Sequence, residues 1–342
     1  MSNILIIGAG SMGTAFSFPC SDNGHSVSIV GTHLENDFID QIKSSKRHPA
    51  LNCEISKNVS FSKIEKLEEE INKKIDLVVI AVVSKGIEWV SVELSKVMKN
   101  NVPILILTKG LSVDNDNYEV LAHKMERLLK KNGIKETNIS AAGGPCLAKE
   151  LANKAHTSVV FANKDIEIAK QISKLVSTDY YHVSTSNDVI GVETCAAIKN
   201  IFSMAVGASQ GLCESTNPKE KNYLNTAAAL IQESIYEMII FVEKLKGKKE
   251  TVIGLAGIGD LYVSADGGRN SKMGEYLGQG MKFKDAKKTK MSNITVEGAD
   301  LALEIGAKVK KDFDIKTLPL MISMINTICE EKPLKVDWKN FK

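Results

Sequence analysis

Three groups of residues in this sequence have the types and spacing of a chemical site. The first is Gly8-Ala9-Gly10-Ser11-Met12-Gly13, a GxGxxG run directly after the apolar stretch 4–7 and before a helical pattern. There the first glycine permits a tight turn and the second lets a pyrophosphate approach the backbone. The third lets helix pack on strand, and the helix N-terminus faces the phosphates. The second group is Thr108-Lys109-Gly110-Leu111, just beyond the apolar run 104–107. Ligands of open α/β sheets bind at the C-terminal ends of strands, where a lysine can meet a phosphate or a carbonyl oxygen. The glycines of Gly143-Gly144-Pro145-Cys146, further on, permit a similar close approach. The third is Lys199, in an apolar helical run beside Glu193, Ala196, Asn200, Ser203 and Gly207. A lysine in such a place is more often a helix-surface charge, and the residues alone leave both readings open.

These groups need a scaffold, and the periodicity supplies one. Short, unbroken, β-branched runs at 4–7, 27–30, 77–83, 104–107 and 159–161 read as strands covered on both faces. Helical patterns between them, such as 87–98 and 118–131, make this an α/β N-terminal Rossmann domain with a doubly wound, mostly parallel sheet. From residue 187 the pattern turns helical, with helices expected over 188–212, 224–245, 272–277, 283–288, 299–305 and 319–330. Ser184 to Asn187 reads as a hinge whose Asn or Ser caps the next helix. The expectation is a dinucleotide-binding domain at 1–183 and an all-α C-terminal domain at 187–342 carrying substrate and catalytic residues. The end of the second strand, where the adenosine ribose is read, holds Gly31-Thr32-His33. Thr32 is neither the carboxylate that selects NAD nor the arginine that selects NADP. Glu35 and Asp37 fall one helical turn too late, so NAD and NADP both stay open.

Seven segments in order resemble the NAD(P)-dependent glycerol-3-phosphate dehydrogenase family. They are GAGSMGTA at 8–15, TKGL at 108–111, GPCLAKEL at 144–151, AAIKN at 196–200, GLAGIGDL at 254–261, GGRNSKMG at 267–274 and VEG at 296–298. The resemblance implies interconversion of dihydroxyacetone phosphate and sn-glycerol 3-phosphate by hydride transfer, with NAD or NADP. It implies that Lys199 is the catalytic lysine, that Lys109 lies between cofactor and substrate, and that Asp260 orients the reacting end of the substrate. Gly144, Cys146, Gly268, Arg269 and Asn270 would line the substrate site. Gly8, Gly10, Ser11, Met12, Gly13, Thr32, Lys109, Ala148, Arg269, Thr295 and Glu297 would serve the cofactor. An ammonium such as Lys199 can stabilise the oxyanion and give up a proton. The planar fork of Arg269 suits a phosphate, and Asn270 is expected to cap the helix that follows it.

The chain also departs from that family. Asn225-Thr226-Ala227-Ala228-Ala229 and Gln232-Glu233-Ser234 lack two expected cations, Val83 replaces a proline, and Cys146 replaces a small polar residue. A shifted small phosphorylated ketone or polyol, or a hydroxyacid as in related dehydrogenases, is therefore the alternative substrate. A non-catalytic dinucleotide sensor would need none of Lys109, Lys199, Asp260 and Arg269. Hydrophobic residues at 43% and charged residues at 25% of the 342 positions fit a globular protein. A net charge of +3 without a basic block argues against nucleic acid. The six cysteines form no CxxC pair, which argues for reduced thiols and no metal. Glu193 and Lys199 interrupt the longest apolar stretch, so stable membrane insertion is not expected. The absence of a signal-peptide pattern points to a cytoplasmic enzyme, and the apolar helical half to a homodimer.

Overall fold

A computed structural model describes residues 1–98, 101–214 and 223–342. By its contacts the chain divides into two compact units, Met1–Lys109 with Leu121–Val189, and Gly110–Val120 with Ile190–Lys342.

Among the described residues the strands are β1 Asn3–Ile7, β2 Ser26–Val30, β3 Arg47–His48, β4 Cys53–Glu54, β5 Val59–Ser62 and β6 Leu77–Ile80. They continue with β7 Ile104–Ile106, β8 Leu111–Asp114, β9 Asn117–Val120, β10 Ile139–Gly143, β11 Thr157–Ala162 and β12 Tyr181–Ser186. Eight of them form the sheet of the first unit, in the order β12-β11-β10-β7-β6-β1-β2-β5. Every neighbouring pair is parallel except β10 with β11, so the last two strands run against the rest. The expected mostly parallel sheet is therefore present. Ile4, Leu5, Ile6 and Ile7 of β1 are at 0% exposure, as an unbroken apolar run between two helical layers requires. β1 pairs with β2 on one side and with β6 on the other, and this reversal of strand order creates a crevice at its C-terminal end. The strands β5, β10 and β12, which the apolar pattern does not reveal, complete the sheet. Ser184 to Ser186 are strand residues paired with β11 and not a hinge.

The second unit is built on the helix Val189–Glu214. By length and composition Val189–Cys213 is apolar enough to cross a membrane, but most of it is buried inside the protein. Its small-residue stripe has a packing reason. A Cβ on Gly207 would lie 2.2 Å from the Ser271 carbonyl oxygen, and one on Gly211 would lie 2.1 Å from that of Glu275. From the facing helix Arg269–Gly278, a Cβ on Gly274 would lie 1.8 Å from the Met204 oxygen, and one on Gly278 would lie 2.3 Å from that of Ala208. Four glycines at a spacing of four thus let two helices meet backbone to backbone.

Behind these lie Leu224–Lys244, Glu297–Asp312 and Pro319–Cys329. The buried Glu237 carboxylate accepts from the Leu320 and Met321 N–H groups and so caps the last of these helices. Burial nevertheless pushes its pKa up to about 8. The hairpin β8–β9 turns at Asn115 and Asp116, with φ of 48° and 61°, the primed geometry that a two-residue hairpin favours. Its Tyr118 ring meets Phe241 at 5.2 Å, and Asp116 pairs with Lys311. The helix expected from residue 118 therefore starts at Leu121.

Candidate functional site

In the first unit the glycine loop joins β1 to the helix Ser11–Asp22. Gly8 has φ of 111°, and a Cβ there would lie 2.6 Å from the Ala81 oxygen. A Cβ on Gly13 would lie 2.2 Å from the Gly8 oxygen, so these two glycines close the turn and seat the helix. Gly10 differs, because the nearest atom to a Cβ there is Glu35 Oε1, at 3.8 Å. Its open side is the cradle that a pyrophosphate needs. Gly10 is also the N-cap residue, and no side-chain hydrogen bond caps the helix among the described residues. The amides at Ser11 and Met12, with the positive end of the helix dipole, can therefore serve an anion. The residues present fit a dinucleotide.

Around this loop the other predicted residues fall at the C-terminal ends of neighbouring strands. Lys109, beyond β7, sends Nζ to the carbonyl oxygen of Gly144, 3.4 Å away, beyond the adjacent β10. Thr108 Oγ1 donates to the Val82 oxygen at 2.6 Å and fixes the start of that turn. Gly144, with φ of 103°, allows the reversal that leads into the helix Ala148–Ala152, and Cys146 and Ala148 pack on the apolar core. Leu34, Val83 and Leu147, which follow β2, β6 and β10, are 82%, 74% and 47% exposed, and offer apolar surface for a flat ring.

Sequence reasoning set aside one residue that the structure places at this loop. Glu35 does not lie a turn too late, because the chain bends after β2 and brings its carboxylate back over the loop. Its Oε2 accepts from Thr32 N at 2.7 Å and from Ala9 N at 3.2 Å. Thr32, predicted for the cofactor, therefore holds Glu35 through its amide. The sequence signal was an acid within five residues of the end of β2.

In the second unit the structure brings together Lys199, Asp260 and Ser264. The Lys199 ammonium donates to Asp260 Oδ1 and, at 2.6 Å, to Ser264 Oγ. The side chains of Lys199 and Asp260 are 7% and 2% exposed, so Lys199 is no surface charge. Asp260 opens the helix Asp260–Ala265, which puts Ser264 one turn later on the same face. Sequence reasoning did not single out Ser264.

Asn270 is buried within the helix Arg269–Gly278, whose N-cap is Gly268. It does not cap that helix, and this corrects the expectation. Its Nδ2 donates to Asn200 Oδ1 and its Oδ1 accepts from Gly298 N, both at 2.9 Å. The amide thereby ties the neighbour of Lys199 to the start of Glu297–Asp312. Arg269 stands beside it, more than half exposed and paired with Glu297. Thr295 lies in the exposed loop before that helix.

Comparison with known proteins shows one consistent likeness. Residues 3–169 match the NAD-dependent glycerol-3-phosphate dehydrogenase N-terminus, and residues 188–337 match the C-terminus of the same family. An NADP(+)-dependent glycerol-3-phosphate dehydrogenase of Archaeoglobus fulgidus is 32% identical over 314 residues, 90% of this chain and 91% of that protein. A glycerol-3-phosphate dehydrogenase [NAD(P)+] of an Exiguobacterium species is 30% identical, covering 97% of this chain and 92% of that one. The crystal structure of the Coxiella burnetii glycerol-3-phosphate dehydrogenase superposes with a TM-score of 0.81 at 25% identity, over 97% of this chain and 96% of that one.

Proposed function

This chain belongs to the NAD-dependent glycerol-3-phosphate dehydrogenase family, and we propose that Lys199 is the acid and base through which it interconverts dihydroxyacetone phosphate and sn-glycerol 3-phosphate. The observation that carries this reading is a lysine inside an apolar helix, buried and held by Asp260 and Ser264. A bound NAD(H) or NADP(H) supplies the hydride to the ketone carbon and takes it back in the reverse direction. As negative charge grows on the ketone oxygen, the Lys199 ammonium stabilises it and transfers a proton from Nζ. In the reverse direction the same nitrogen receives the alcohol proton. Asp260 and Ser264 fix the direction of Nζ, which is worth more to a proton transfer than charge alone. Lys109 supplies a further cation for an anionic substrate.

Arg269 presents its planar fork to the phosphate, and binding there competes with Glu297 for the same guanidinium. Gly268 leaves the amides of the following helix available to the same anion. Gly144 and Cys146 complete the substrate assignment, and Ala148, Thr295 and Glu297 that of the cofactor. On this reading the enzyme is a homodimer in the cytoplasm, which sedimentation and fractionation test directly.

The test is loss of nicotinamide absorbance with dihydroxyacetone phosphate, offering NADH and NADPH separately. Turnover is expected to be far more efficient with the phosphorylated ketone than with dihydroxyacetone. Lys199→Ala should lower kcat by roughly 10²–10⁴ and leave cofactor affinity nearly unchanged. Turnover within a few-fold of wild type would remove Lys199 from the chemistry.

A further inference from the structure

The names of the relatives include an NADP(+)-dependent enzyme and an NAD(P)+ enzyme, so the choice of cofactor must be read from the residues of this chain. We propose that Glu35 reads the adenosine ribose and selects NAD(H) over NADP(H). The inference rests on the dinucleotide assignment of the glycine loop and adds the specificity of that site.

The two oxygens of the carboxylate have different surroundings. Oε2 is held by two amides, Thr32 N at 2.7 Å and Ala9 N at 3.2 Å. Both belong to the first unit, one at the end of β2 and one inside the glycine loop, so the group is fixed where the two meet. Oε1 accepts no hydrogen bond from the described residues and lies over the open side of Gly10, 3.8 Å from where a Cβ would stand. A dinucleotide whose pyrophosphate lies against the helix N-terminus places its adenosine ribose at the end of the second strand. An acceptor-only oxygen there suits a ribose diol, whose two hydroxyls are donors.

The same oxygen is hostile to a 2′-phosphate. That group carries negative charge and needs a cation, in most cases an arginine. No lysine or arginine pairs with Glu35 among the described residues, and the chain between β2 and the next helix is Gly31-Thr32-His33-Leu34-Glu35, without an arginine or lysine. The His33 ring stacks edge-on against Trp89 at 5.1 Å. The other imidazole nearby, His48, is buried, and its pKa is lowered mainly by that burial, so it is neutral at pH 7. A 2′-phosphate would thus meet a fixed carboxylate without compensation. Its exclusion is electrostatic and does not need a steric wall.

The experiment is isothermal titration of the full-length protein with NADH, NADPH and 2′-deoxy-NADH, so the readout is binding and not turnover. Wild type should bind NADH at least about tenfold more tightly than NADPH, and should lose about tenfold toward 2′-deoxy-NADH, since one charge-assisted hydrogen bond is worth about that factor. Glu35→Gln should narrow the NADH-to-NADPH ratio to within about threefold, mainly by gaining NADPH affinity. Equal affinity of wild type for NADH and NADPH, or tighter NADPH, overturns the proposal alone. A Glu35→Gln protein that loses both cofactors alike also overturns it, because Glu35 would then only brace the loop. Failure of every dinucleotide to bind wild type overturns the dinucleotide assignment as well, so the two failures are distinguishable.

Discussion

Removing Lys199 tests more than catalysis, because it leaves a carboxylate in the interior. The pair is 7% and 2% exposed, and Asp260 would lose its ion pair with Lys199. Breaking a buried pair from one side costs roughly 3–5 kcal/mol. The unit that holds it spans Gly110–Val120 and Ile190–Lys342, which is 11 and 153 residues, or 164 in all. At that size each 1 kcal/mol moves Tm by roughly 2–4 °C, so Lys199→Ala should lower Tm by roughly 6–20 °C. The double variant Lys199→Met with Asp260→Leu removes both charges and fills the space with apolar atoms. Such replacements are often neutral or stabilising, so most of the lost Tm should return. Activity should not return, because neither side chain can transfer a proton. Thermal denaturation followed by circular dichroism, with kcat measured on the same samples, separates the two effects. Lys199→Ala within about 2 °C of wild type, or a double variant no more stable than the single, would refute the buried-pair reasoning.

Two other expectations follow from the second unit. Arg269→Ala should raise KM for dihydroxyacetone phosphate by roughly 10- to 100-fold, from about 1.5–3 kcal/mol for a charge-assisted contact. It should leave dihydroxyacetone unaffected, and an equal loss on both substrates in initial-rate assays would assign Arg269 to the cofactor or the fold. Glu237 has its pKa raised to about 8, mainly by burial, from an ordinary value of 4.5. The folded state therefore holds a proton that the unfolded state has released, and stability falls as pH rises between about 4.5 and 8. The slope is about 1.4 kcal/mol per pH unit at most. Denaturant titrations at pH 5, 6.5 and 8 should show this fall in wild type and a flatter profile in Glu237→Gln.

The sheet's centre was legible because β1, β6 and β7 are unbroken aliphatic runs whose two covered faces suppress polar alternation. β10 and β12 were not, since ISAAG and YHVSTS carry the small and polar residues that strands share with loops. The long helices of the second half were legible from their apolar period. In the hairpin, the Asn115-Asp116 turn was a readable signal, overridden by the helical pattern of the residues after it. At the candidate site, the glycine loop and both lysines are visible because their types are rare in their settings. Glu35 was missed by counting along the chain, as if a residue beyond a strand continued in its direction. Asn270 was misassigned because a polar residue at a helix start reads as a cap, while its actual partners, Asn200 and Gly298, are remote in sequence.

The hairpin also bears on the order in which the chain is made. β8 and β9 leave the ribosome with the first half, yet Tyr118 packs on Phe241, and Asp116 pairs with Lys311, nearly two hundred residues later. During synthesis the N-terminal sheet can gather its strands through β12 while this short ribbon still waits for its partners. Closing so long a loop is slow compared with forming the helices around it. A nascent chain halted before Phe241 would therefore carry a two-stranded ribbon with unpaired edges, the kind of surface that chaperones guard. The sequence 1–183 cut out as a fragment would carry the same ribbon permanently, and the natural seam for dissecting this protein includes the excision of residues 110–120.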